Sequence, residues 1–158
     1  GLPVGALGGS AEIMASFDPR DRSAIFHAGT FNGNPATCAA GFVSVSELTQ
    51  ARIDAMEKQA QRLASELTRA ARSLELPFSV RQNGSLLQIF FLNQPPAPST
   101  QREDSRAMAT FHLAALTCGL FLAPRGLIAL NTVMTDDHIA ETVERAGKTF
   151  TELARAID

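Results

Sequence analysis

The sequence predicts an α/β fold, one small sheet covered by helices, together with a long bridging helix, and three observations predict it. Met56, Ala60, Leu63, Leu67, Ala70 and Leu74 recur at steps of four and three, which is one face of a helix. Ile139, Val143, Ala146, Phe150, Leu153 and Ile157 repeat that spacing near the far end. Between the two lie short β-favouring runs, and Asn83-Gly84 between two of them is a strong hairpin signal. The order of long helix, hairpin, helix, strand pair and helix is that of a sheet layered with helices.

Residues 1–9 hold four glycines and a proline, too many for the interior of a helix or strand. Ser10 then caps a short helix with Glu12 in its first turn, ending before Asp18-Pro19. Residues 18–35, with Pro19, Gly29, Gly33 and Pro35, read as an irregular connection whose length is usually functional. From Ala36 to about Leu74 proline is absent and one helix is expected, with Gly41 marking a bend or a close contact. At ~1.5 Å per residue it would run roughly 55 Å, so it kinks or bridges two bodies.

Phe78–Arg81 and Leu86–Leu92 are the hairpin strands, the second interrupted by Gln88, and three prolines make Gln94–Thr100 a surface loop. Asp104 or Ser105 caps a helix with Met108, Phe111, Ala115 and Cys118 on its apolar face, ending at Gly119. Leu120–Ala123 and Leu127–Asn131 read as strands around a Pro124-Arg125-Gly126 corner. Thr135 caps the last helix, and Asp136 and Asp137 favour its dipole.

The 158 residues carry 14 basic and 16 acidic side chains, a balance unlike the basic footprint of a phosphate-backbone binder. With no Trp or Tyr, an aromatic platform for nucleic acid is not expected either. Cys38 and Cys118 form no CxxC pair and cannot make a zinc site alone; they read as reduced, buried residues of a cytosolic protein. The longest apolar stretch, Leu86–Leu92, is too short to span a bilayer. No metal site, membrane span or nucleic-acid partner is expected, and a cytoplasmic location is.

The glycines of residues 1–9 suit either a phosphate cradle or a packed loop, and match neither a Walker A nor a GxGxxG pattern. In HAGTFNGNP, residues 27–35, Gly29 offers a backbone donor and Thr30 a hydroxyl, suited to phosphate oxygens. Asn32 to Pro35 then turn the chain into a helix whose N-terminal amides favour an anion. The same residues also make an ordinary capping turn, Asn34 as N-cap and Pro35 at the first helical position. His27 has no carboxylate or histidine nearby in sequence and reads as structural. Arg125, in the apolar LFLAPRGLIAL, must reach solvent or find a partner. Its planar fork suits a substrate carboxylate or a structural Asp or Glu. Lys58 and Lys148, the two lysines, both fall in expected helices, and no catalytic constellation is present.

Three segments together resemble class III pyridoxal-phosphate (PLP) aminotransferases, including glutamate-1-semialdehyde 2,1-aminomutases. They are GLPVGALGG with its short acidic helix, HAGTFNGNPATCAAG opening a long helix, and FHLAALTCGLFLAP at residues 111–124. The resemblance implies the C-terminal part of fold type I. Residues 1–35 would end the large domain and line the cofactor pocket and dimer interface. Residues 36–74 would be the bridging helix and 75–158 the small α/β domain. The Schiff-base lysine would lie upstream of Gly1, so this chain alone is expected to be inactive. Thr30, with the amide of Gly29 or its own, would bind the PLP phosphate of the neighbouring subunit in a homodimer. Ala129 stands where many relatives place a carboxylate-binding arginine, and Arg125 could supply that charge instead. APRG favours an aminotransferase for a β- or other non-standard amino acid over the aminomutase. A non-catalytic assembly module is the remaining alternative.

Overall fold

A computed structural model describes residues 2–97 and 105–157; the candidate cap Asp104 and the end of the proline-rich loop lie outside them. Along the chain run α1 (Ala11–Ala15), α2 (Pro35–Ser46), α3 (Gln50–Arg72), β1 (Ser79–Asn83), β2 (Leu86–Phe90), α4 (Ser105–Thr117), β3 (Leu127–Ala129) and α5 (Asp136–Ile157). They fall into two compact units, divided between Leu48 and Thr49.

That division corrects the single helix expected over 36–74. The α2 helix stops at Ser46, and Thr49, in extended conformation, starts α3 by accepting a hydrogen bond from the Arg52 N–H. The chemistry of the break is local. Ser44 and Ser46 donate their hydroxyls back to the Ala40 and Phe42 carbonyls, a habit that weakens helices, and Thr49 competes as a cap.

In the first unit α1 buries nothing and α2 buries only Gly41. A Cβ on Gly41 would sit 3.1 Å from Val4 Cγ2, so the predicted close contact is with the opening stretch. Cys38, expected to be buried, is exposed because α2 has no covered face at that position, and Cys118 is half-buried.

The second unit is built as its spacing dictates. The α3 helix buries Met56, Ala60, Leu63, Leu67 and Ala71, and α5 packs on both α3 and α4. Phe78, Phe91, Phe111 and Phe150 form the aromatic centre, with ring centroids 5.0 Å apart for Phe78–Phe150 and 5.4 Å for Phe111–Phe150. Gly119, at φ +77°, ends α4 as expected: the Leu120 N–H donates to the Ala115 carbonyl and the Gly119 N–H to that of Leu116.

The sheet is antiparallel in the order β1-β2-β3. Asn83 pairs with Leu86, so the hairpin loop is Gly84-Ser85. Gly84 supplies positive φ at the first central position, the requirement of a II′ turn. Leu87 and Ile89 are fully buried on one face of β2, while Gln88 lies on the other. The strand expected at Leu120–Ala123 does not form. Its Leu120 N–H caps α4, and its Ala123 carbonyl accepts from the Gly126 N–H to close the next turn. Among the described residues no helix is long and apolar enough to cross a membrane.

Candidate functional site

Two consecutive turns shape the stretch before α2. The Asn32 N–H donates to the Gly29 carbonyl at 2.9 Å, and the Asn34 N–H to that of Phe31 at 3.2 Å, with Gly33 at φ +68°. Asn34 then caps α2, its Oδ1 accepting from the Thr37 N–H (3.1 Å) and hydroxyl (3.2 Å). Pro35 has no N–H, and that of Cys38 is bonded to the Asn34 carbonyl. The capping turn is therefore present, and it uses most of the helix's N-terminal donors.

Besides the Ala36 N–H, the donors left for an anion lie one turn earlier. The carbonyl of Gly29 is engaged, but among the described residues no partner takes the N–H of Gly29, or the N–H or hydroxyl of Thr30. Both residues are exposed. A side chain at position 29 would bring its Cβ to 3.0 Å from Asn32 Oδ1, so glycine keeps this turn tight. Adjacent donors on a tight exposed turn fit a phosphate group, whose oxygens accept only.

Beside the turn lies a cleft of about 430 Å³, lined by Pro3, Val4 and Gly5 on one side and by His27, Phe31, Asn32, Gly33, Asn34, Thr37 and Cys38 on the other. Gly29 and Thr30 do not line it, although residues on both sides of them do. His27 packs edge-on against Phe17, ring centroids 5.9 Å apart, in keeping with its structural reading. The carboxylates of the preceding loop are tied off locally. The Arg20 guanidinium holds Asp18 below the usual carboxylate range, and the Ser23 N–H and hydroxyl do the same for Asp21.

Arg125 belongs to the second unit, on the exposed turn between Ala123 and Gly126. Its guanidinium reaches solvent, and no carboxylate among the described residues pairs with it. Gly126 holds φ +77°, and a Cβ there would sit 2.5 Å from Ile89 Cγ1 and 2.8 Å from Met108 Cε, so any other residue here is strained and forces its neighbours to shift. An apolar cleft of about 260 Å³ is lined by chain on both sides of Arg125, Leu120–Ala123 and Leu127–Leu130, with Leu63, Met134 and Thr142. Ala129 is exposed on β3, opposite Leu86.

Sequence reasoning missed Gln88. It reads as a mere interruption of an apolar run, but its side chain donates to the Arg125 carbonyl. A lone polar residue in the middle of an otherwise apolar strand was the available signal. Among the described residues no group of His, Cys, Asp or Glu could hold a metal.

The family model for class III aminotransferases matches residues 1–150. Among curated proteins, the chain is 39% identical to a glutamate-1-semialdehyde 2,1-aminomutase of Desulfosudis oleivorans, over 97% of this chain and 36% of that protein. It is 34% identical to a glutamate-1-semialdehyde 2,1-aminomutase 2 of Anoxybacillus flavithermus, over 98% and 36%. Among solved structures it superposes on an omega-transaminase from Sphaerobacter thermophilus (TM-score 0.79, 28% identity, 94% of this chain and 35% of that one). It also matches a transaminase with PLP bound (0.83, 25%, 99% and 36%). A third match is a β-phenylalanine aminotransferase from Variovorax paradoxus (0.70, 28%, 89% and 33%). The chain belongs to the class III aminotransferase family, an enzyme family, and its fold is that of the C-terminal part of a fold-type-I PLP-dependent transferase. It spans 36% of the length of those two curated relatives.

Proposed function

We propose that this chain is the C-terminal portion of a PLP-dependent aminotransferase that moves an amino group between an amino acid and a keto acid. The observation that carries the reading is Arg125, a guanidinium on a conformationally fixed turn with no carboxylate partner among the described residues, ready for a substrate carboxylate. PLP, when bound, supplies the electron sink for this chemistry, and the protein supplies binding and orientation. Thr30, with the N–H groups of Gly29 and Thr30, would hold its phosphate. The omega-transaminase and β-phenylalanine aminotransferase likenesses support an amino substrate outside the α-amino acids.

In the full-length enzyme Thr30→Ala should weaken PLP retention, read by dialysis and absorbance; unchanged retention would sink the phosphate role. Arg125→Ala should raise KM for carboxylate substrates by an amount worth ~2–4 kcal/mol, the scale for losing one partner of a charge pair. Equal harm to amines without a carboxylate would make Arg125 structural. The second reading, an aminomutase that keeps the amino group on one carbon skeleton, is favoured by the names of the curated relatives. An assay for free keto acid separates the two.

The same proposal includes a cytoplasmic homodimer with shared active sites. Its support is the first unit's uncovered apolar surface, with Phe26, Phe31 and Phe42 at 90%, 80% and 75% exposure. The 158-residue chain by itself, whose two lysines lie in α3 and α5, should release no keto acid.

A further inference from the structure

Gln88 sits at the centre of the sheet, opposite Arg81 of β1 and Leu127 of β3. Its Nε2 donates to two carbonyl oxygens, that of Arg125 at 2.5 Å and that of Ile89 at 3.1 Å. Both acceptors are carbonyls, so only the NH₂ end of the amide can face them. One residue along, the Ile89 N–H donates to the Gly126 carbonyl at 3.1 Å. Two successive peptide carbonyls of the Arg125 turn are thus pinned to β2, one by backbone and one by Gln88. The pin at Arg125 fixes that residue's ψ, and with it the direction in which its Cα–Cβ bond leaves the turn.

We propose that Gln88 is a positioning residue for carboxylate recognition, acting through Arg125. The inference rests on the reading of Arg125 given above and extends it to the residue that aims it. Gly126 removes steric freedom from the turn but supplies no bond to the Arg125 carbonyl; Gln88 supplies that bond. Without it the Arg125–Gly126 peptide is held only at its other end, where the Gly126 N–H donates to the Ala123 carbonyl at 2.8 Å, and a long cationic side chain on a peptide pinned at one end spends less time where a carboxylate needs it.

The test uses full-length PLP-loaded enzyme with β-phenylalanine as the carboxylate-bearing donor and 1-phenylethylamine as the donor without one. Gln88→Leu, and Gln88→Met in case leucine disturbs folding, remove the donor while keeping bulk. Each should raise KM for β-phenylalanine about five- to tenfold, the order expected for one hydrogen bond. The kcat should stay within about twofold, 1-phenylethylamine kinetics should not move, and neither variant should add to Arg125→Ala. If Arg125→Ala selectively raises the β-phenylalanine KM but the Gln88 variants do not, the positioning role is overturned and the Arg125 reading stands. An effect of Gln88 that persists in the Arg125→Ala background, or extends to the amine, also overturns it. If Arg125→Ala harms both donors equally, the Arg125 reading fails and this inference falls with it.

Discussion

From Thr49 onward the chain hides Leu63, Phe78, Ile89, Phe111 and Phe150, while up to Leu48 it hides only Gly41 among its described residues and displays Phe26, Phe31 and Phe42. Both halves are rich in apolar residues, so composition does not separate them. Arrangement does. The apolar residues of α3 and α5 fall in one stripe, backed by charged residues that solvate the other side. In α2, PATCAAGFVSVS, they surround the helix, the pattern of a helix covered on more than one side, and the unit's own residues leave most of them exposed. The second unit closes its own core; the first displays surface that a partner, in the proposed dimer, would cover.

The largest expected effect tests that contrast directly. Phe150 is fully buried against Phe78 and Phe111, and Phe150→Ala should cost ~3–5 kcal/mol in urea unfolding of the 158-residue chain. Phe42→Ala removes the same ring from an exposed site and should stay within about 0.5 kcal/mol. A larger loss at Phe42 that grows with protein concentration would show a second copy covering that surface.

A smaller effect separates backbone conformation from packing within the second unit. Gly84 and Gly126 both hold positive φ, but a Cβ at Gly84 meets nothing within 4 Å, whereas at Gly126 it runs into Ile89 and Met108. Gly84→Ala should cost ~1–2 kcal/mol, the left-handed penalty alone. Gly126→Ala should cost a further ~1–3 kcal/mol for the forced overlap. Equal midpoints for the two variants would mean that the Arg125 turn yields freely, and Gln88 would then be pinning a soft segment.

The stripes were legible because burial of a helix face and a spacing of four and three are the same fact. The cap of α2 was legible for a similar reason, since Asn34-Pro35 has few other uses. The break at Glu47–Thr49 was hidden. Its causes, Ser44, Ser46 and Thr49, are single polar residues whose preference for back-bonding and capping emerges only against the alternative of continuing the helix. The missing strand at Leu120–Ala123 was equally hidden, because its hydrogen-bonding groups are taken by neighbours at Ala115 and Gly126 that no local pattern announces. For the candidate site, Gly29 and Thr30 could be picked from turn chemistry and resemblance, and Arg125 from its isolation. That Arg125 finds no partner among the described residues, and that Gln88 holds its carbonyl, are facts of three dimensions.

The smallest effect sharpens the comparison from the side of the first unit. A helix that buries one glycine draws its stability from local terms, and the strongest of those at α2 is the Asn34 cap on the N–H and hydroxyl of Thr37. Asn34→Ala should cost ~0.5–2 kcal/mol, and the place where that loss is read matters. Amide exchange in α2 of the 158-residue chain should accelerate, because its opening is governed by the cap and few buried contacts. The urea midpoint, governed by the aromatic centre around Phe150, should hold. In the full-length enzyme the same substitution should have less effect on α2 exchange if Phe42, Val43 and Val45 are covered there, since packing would then outweigh the cap. Equal acceleration in the short chain and in the whole enzyme would mean that those residues remain in water in both, and the proposed dimer surface would have to be sought elsewhere.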